Sequence, residues 1–197
     1  MPVFSGRNGG MPAEHTGAPG APATAAPRIP PLPEAEWNDS VTAVTAVTGP
    51  LNIFTTIGRH RALFDSWIGL GSMLLFKGTL SARVRELAIL RTAHLRSCAY
   101  EWAHHERIGQ GAGLTEEEIA ALRRGLDEHP WSRDDRAVLD AVDELNDTST
   151  LGDATWAALA ERFEENQLIE LVMLIGHYHM VAFTLNALRV QPEGTGH

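Results

Sequence analysis

The chain has 197 residues, 44% apolar and 21% charged, with a formal net charge of −9. That length can bury one sizeable core, and the composition is that of an ordinary globular domain. The acidic balance disfavours nucleic acid and anionic membrane as partners, and a single cysteine excludes an internal disulfide and fits a reducing cytoplasm.

Residues 1–28 are dominated by Gly, Pro, Ala and Thr and lack the apolar core of a secretion signal. Such a segment buries too little apolar surface to offset its ordering entropy, so a disordered tail is expected there. A helical domain over 29–192 and a flexible C-terminus over 193–197 complete the expected organisation. Arg28 to Trp37 favours an extended, polyproline-like arm, with Ile29, Leu32 and Trp37 available to dock it. Asn38 or Asp39 is placed to cap a helix through Val44 and Val47, which Gly49-Pro50 ends. Leu51, Ile53, Phe54 and Ile57 form an apolar connector. Arg61 to Phe76 reads as a helix that is apolar on most sides, suited to a core or a subunit contact. It is too short to span a bilayer.

The most informative stretch is Leu80 to Gly113. Ser81 caps a predicted helix through Val84, Leu87, Ile89 and Leu90. At about 100° per residue, Glu86 falls inside the apolar arc of that helix, where a carboxylate needs a partner or a raised pKa. A break is expected near Arg96 and Ser97, and a second helix follows Cys98. On it, Cys98, Glu101, Trp102 and His105 share about 100° of arc, while Tyr100, Glu106 and Arg107 fall on the other side. A thiol, an acid and a histidine therefore face inward within two turns of one another.

Gly113 stops this helix. Thr115 and Glu118 form a capping box for the next one, which is expected to reach Arg124. Ser132 starts a helix with Val138, Leu139, Val142 and Leu145 inward, and Asp153 caps another. Asn166 is expected to cap the last and longest helix, which runs to about Arg189. His179 and Asn186 on it would be buried polar groups. They either line a pocket near His105 or bridge helices, and bridging is favoured. His177 and His179 point about 160° apart, which disfavours joint metal ligation. Glu101-x-x-His104 has the spacing of one half of a di-iron motif, but no second Glu-x-x-His is present, so no metal site is expected.

Glu86, then Cys98 twelve residues on, then Tyr100, Glu101, Trp102 and His105 resemble the carboxymuconolactone decarboxylase family, which includes the alkyl hydroperoxidase D-like proteins. The redox branch of that family carries an acid, a CxxC pair and a histidine four residues after the second cysteine. Glu101 stands where the second cysteine would be, so this sequence is similar to the branch lacking the redox pair. The resemblance implies an all-α, alkyl hydroperoxidase D-like helical domain, typically a homo-oligomer, acting on a small molecule without a cofactor. It makes Glu86, Cys98, Glu101 and His105 the catalytic candidates; Trp102, on the same inward arc, and His179, on the last helix, are the candidate substrate contacts. The expected activity is that of a cofactor-free lyase on a small carboxylated lactone or keto acid. His105 would be the general acid, Glu101 its orienting partner and Glu86 a base or relay. Two alternatives are a single-cysteine thiol peroxidase acting through Cys98 with an external thiol, and a non-catalytic oligomer that binds a small molecule.

Overall fold

A computed structural model describes residues 26–194 of the chain. Nine α-helices and no strands occur among these residues: α1 (Asp39–Thr48), α2 (Asn52–Ile57), α3 (Arg61–Ser72), α4 (Ala82–Leu95), α5 (Ala99–Gly111), α6 (Glu116–Ala121), α7 (Arg133–Thr148), α8 (Asp153–Ala160) and α9 (Glu165–Leu188). The fold is the all-α one that the sequence implies.

The centre of the fold is α4, which packs against α5, α7 and α9. Every residue from Glu86 to Ala93 is buried. A helix surrounded on all sides needs no polar face, and this is why its apolar pattern is weak. Leu87, Ile89 and Leu90 are fully buried, each contributing about 1.5–3 kcal/mol relative to an exposed side chain. Arg91 leaves the same helix to pair with Asp143 of α7 at 2.7 Å and to donate to the Leu122 carbonyl at 2.8 Å. Arg83 joins α4 to both Glu118 and Asp135.

Local chemistry accounts for most helix starts. Asn38, Ser81, Thr115 and Ser132 each accept a backbone N–H from the first turn of the helix they precede. The last helix departs from expectation. Its cap is Glu164, whose side chain and that of Gln167 satisfy each other's backbone N–H groups, while Asn166 lies within the helix. A glutamate is long enough to close this reciprocal box, although shorter side chains are the usual choice. Gly152, not Asp153, is the cap of α8, and α6 ends at Ala121 rather than Arg124. The apolar connector at 51–57 is itself the short helix α2.

The break between α4 and α5 falls where expected. Ser97 takes a left-handed backbone, φ 50°, and the Asn186 amide of α9 donates to the Arg96 carbonyl at 2.8 Å. Asn186 therefore bridges helices. α3 continues through a π-helical turn, Met73–Lys77. Of its apolar residues Phe64 is buried, but Leu63, Leu70, Met73 and Phe76 are exposed, so α3 lies at the surface with one face inward.

The proline-rich arm is anchored mainly by its backbone. Arg28 N–H donates to the Leu188 carbonyl, Leu32 N–H to that of Thr55, and the Arg59 guanidinium to those of Pro30 and Pro31. Residues 1–25 of the expected tail, and 195–197 of the expected flexible end, lie outside the described residues. Glu193, at the start of that end, is bonded to Asn52, Tyr100 and His104. By length and composition α9 could cross a bilayer, but 56% of its apolar window is buried inside the fold, as in a core helix.

Candidate functional site

The central turn of α4 places Glu86 against α5. Glu86 is fully buried, and its Oε2 lies 2.6 Å from His105 Nδ1. Its other oxygen accepts from Arg85 Nε at 3.2 Å. One turn back on α5, Glu101 Oε1 lies 3.1 Å from the second imidazole nitrogen, Nε2. The Tyr178 hydroxyl of α9 is 3.4 Å from the same nitrogen, and the tyrosine ring stands edge-on to the imidazole. One imidazole thus bridges two carboxylates, and only its protonated form donates to both.

The charges support that state. Arg85 and His105 carry two positive charges against the two negative charges of Glu86 and Glu101. Burial by itself pushes His105 down, but its hydrogen bonds to Glu101 and Glu86, with their charges, outweigh burial and raise it to about 9. Burial, then the charges of Glu101 and Glu86, hold the Tyr178 hydroxyl well above its ordinary pKa, so it stays neutral.

Glu101, His105 and Tyr178 line a cavity of about 520 Å³, whose other walls are mostly apolar side chains such as Val44, Phe54 and Trp67. Glu86 backs His105 from α4. His177 also lines the cavity, next to Tyr178 on α9. So does Tyr100, which periodicity had turned away from the inward arc. It is buried, accepts from the Ile53 N–H at 3.2 Å and donates to Glu193 Oε1 at 2.5 Å. Burial and then the Glu193 bond raise its pKa. The reason is that α2 and the C-terminal segment cover a side of α5 that a single inward arc leaves exposed.

Of the residues expected in the site, the structure brings together Glu86, Glu101 and His105. Cys98 is elsewhere. It is 1% exposed, packed with Ile53, Val181 and Leu185, and it borders a different cleft, shared with Trp102 and Arg123. Burial, then the charge of Glu101, push its thiol up to about 12. Trp102 packs with Leu87, Leu90 and Leu122, under the Arg123 guanidinium at 3.9 Å. His179 bonds the Ile175 carbonyl at 2.9 Å and lies 3.3 Å from Asn146 of α7, so it bridges helices and does not line the cavity. Trp67 and Tyr178 are not marked as site residues by the sequence, and His177 is weighed there only as a metal ligand beside His179. Their one signal was that a buried tyrosine or histidine needs a polar partner. No group of three or more His, Cys, Asp or Glu side chains among the described residues is placed to hold a metal ion.

Residues 61–144 match the sequence profile of the Carboxymuconolactone decarboxylase family. No curated protein is similar enough in sequence to count as a match. Among solved structures, an uncharacterised peroxidase-related protein with the alkylhydroperoxidase AhpD core, from Ralstonia eutropha JMP134, superposes with a TM-score of 0.74 at 20% identity, covering 86% of this chain and 95% of that one. An uncharacterised peroxidase-related protein from Silicibacter sp. TM1040 gives 0.71 at 15% identity, covering 87% and 92%. The debrominase Bmp8 in its apo form gives 0.67 at 19% identity, covering 84% and 92%. The profile runs from α3 into α7 and includes every residue of the carboxylate–imidazole–carboxylate bridge; over these residues the chain is similar to the carboxymuconolactone decarboxylase family, and its fold is the AhpD-like one.

Proposed function

We propose that this protein is a cofactor-free lyase that cleaves a bond next to a carbonyl through an enolate, with Glu101, His105 and Glu86 as its proton relay. The observation that carries the reading is the single buried imidazole held between two carboxylates, one of which opens onto an apolar cavity. Heterolysis of a bond to the carbon beside a carbonyl releases the other fragment as CO2 or as a neutral carbonyl compound, and leaves the bonding pair on that carbon, delocalised as negative charge on the enolate oxygen. A substrate carbon within reach of His105 Nε2 takes the proton from that nitrogen, and the imidazole is left neutral with its Nδ1–H still donated to Glu86. Glu101, a carboxylate at rest, orients the ring, takes up a proton from solvent entering the cavity and passes it to Nε2. Tyr178, kept neutral, can donate to the enolate oxygen.

The thiol peroxidase reading has less support. Hydroperoxide reduction needs a thiolate, and Cys98 is buried, pushed up to about 12, and outside the cavity of His105. A homo-oligomer remains part of the proposal. Leu63, Leu70, Met73 and Phe76 near α3, and Ile169, Met173, Met180 and Phe183 along α9, are exposed apolar side chains that a second copy would cover. Light scattering showing only a monomer would remove that part.

The test is proton exchange, which requires no knowledge of the natural substrate. Enolisable neutral carbonyl compounds, 2-tetralone and α-angelica lactone, are incubated with the protein in D2O and followed by proton NMR. Deuterium uptake faster than buffer in wild type, and lost in His105→Asn, is the expected result. Rates equal to buffer for both compounds, or an unchanged His105→Asn, would overturn the relay.

A further inference from the structure

Resting on the acid–base reading above, we infer that the cavity takes a neutral, flat, largely apolar molecule with one hydrogen-bonding group for His177, and not a carboxylate. This departs from the carboxylated lactones and keto acids implied by family resemblance. Three features of the cavity carry it.

The first is His177. It is 6% exposed, lines the cavity, and its Nδ1 is buried without a hydrogen-bond partner. Burial lowers its pKa, so the ring is neutral and can both donate and accept. Nδ1 is shut off from the cavity, so the ring meets a ligand through its other nitrogen, Nε2, which has no hydrogen-bond partner among the described residues and which a ligand group can satisfy. Gly71 of α3 lies opposite. A Cβ added there would sit 3.5 Å from His177 Nε2, so the glycine keeps the α3 backbone clear of that edge of the imidazole.

The second is shape. The rings of Trp67 and His177 lie in near-parallel planes, 13° apart, with centroids separated by 6.1 Å. Both border the cavity, and a flat ligand aligned with them gains aromatic stacking that a bulky aliphatic one does not. The remaining walls are apolar, and the volume of about 520 Å³ falls in the range typical of small-molecule sites.

The third is charge. Around the buried end, Arg85 and His105 are balanced by Glu86 and Glu101. His104 is paired with Glu193 at 2.9 Å. The only lysine or arginine among the described lining residues is Lys77, which is exposed. A ligand carboxylate at the reactive end would face Glu101 with no free cation beside it, and burying an uncompensated charge is strongly unfavourable.

Calorimetric titration at pH 7 with 2-naphthol and 2-naphthoate compares a neutral and an anionic ligand on one ring system. Wild type is expected to bind 2-naphthol at least ten-fold more tightly than 2-naphthoate. His177→Phe keeps the flat ring but removes both nitrogens, and should weaken 2-naphthol about three- to ten-fold. Gly71→Ala places a methyl group beside His177 in ordinary contact and should weaken it likewise. It also serves should the His177 variant fold poorly. Glu101→Gln should narrow the gap between the two probes. Equal or tighter binding of 2-naphthoate, 2-naphthol affinity untouched by both the His177 and Gly71 variants, or saturation by neither probe would each overturn the inference. Binding is read here without turnover. Loss of deuterium exchange with probe binding intact would therefore sink the relay alone, and the reverse pattern would sink the ligand class alone.

Discussion

The raised pKa of His105 makes folding stability depend on pH in a way that can be worked through. In the unfolded chain its imidazole titrates near the ordinary value of 6.5, and in the folded protein near 9. Between those values the native state holds one proton that the unfolded state has released, so stability falls with rising pH by about 1.4 kcal/mol per pH unit. The contribution is fully present below pH 6.5 and lost as pH rises through about 9, roughly 3 kcal/mol in all. The window is clean among the histidines. His94, His177 and His179 are shifted downward, mainly by burial, so they titrate below 6.5 and stabilise in the opposite sense. Urea unfolding of wild type and His105→Gln across pH 6.5–9.5 should give curves whose difference shrinks by that amount. Removing the imidazolium also leaves two carboxylates without their shared partner, so the variant starts several kcal/mol less stable. A direct check needs no variant. NMR of the His105 ring carbons and protons should show no titration below pH 8. A ring that titrates below pH 7, or a wild-type stability flat across the window, would refute the reasoning. In Glu101→Gln the ring should titrate lower than in wild type, because the Glu101 hydrogen bond is the largest of the influences raising it.

Cys98 should be nearly inert in the folded protein. A thiol pushed from 9.0 to about 12 has about a thousand-fold smaller thiolate fraction at pH 8, so labelling by an aromatic disulfide should be slow until denaturant is added; fast stoichiometric labelling of the native protein would contradict its placement. Glu170 accepts from both the backbone and the hydroxyl of Thr79 and from the Leu80 N–H, and a Cβ at Gly78 would overlap its carboxylate. Gly78→Ala should therefore cost about 2–4 kcal/mol, and Gly78→Ala with Glu170→Ala should be clearly non-additive in a double-mutant cycle. Arg91→Lys keeps the charge but loses the two-pronged bond to Asp143 and the bonds to the Leu122 and Arg124 carbonyls. A loss of about 2–4 kcal/mol in chemical denaturation is expected, and an unchanged midpoint would show the network to be dispensable.

Much of the framework was legible in the chain by itself. The caps at Asn38, Ser81, Thr115 and Ser132, and the break at Arg96–Ser97, are interactions among residues a few positions apart. The side chain and the backbone it satisfies occur together in the sequence. Helical periodicity also turned Glu86, Glu101 and His105 inward, because that depends only on the geometry of one helix. What periodicity does not supply is which neighbour an inward face meets. On α5 the arc that holds Glu101 and His105 also holds Cys98 and Trp102, yet the packing of α2, α4, α6 and α9 sends these to different clusters. On α9, buried along most of its length, no polar face marks a direction. The choice between His177 and His179 was left to whichever helix lay alongside, and α3 and Trp67 took the former while α7 took the latter. Tyr178 reaches His105 across 73 positions of chain, and Glu86 reaches it across 19. Such contacts follow from how the helices pack around α4 rather than from local preference, and only the tertiary structure decided them.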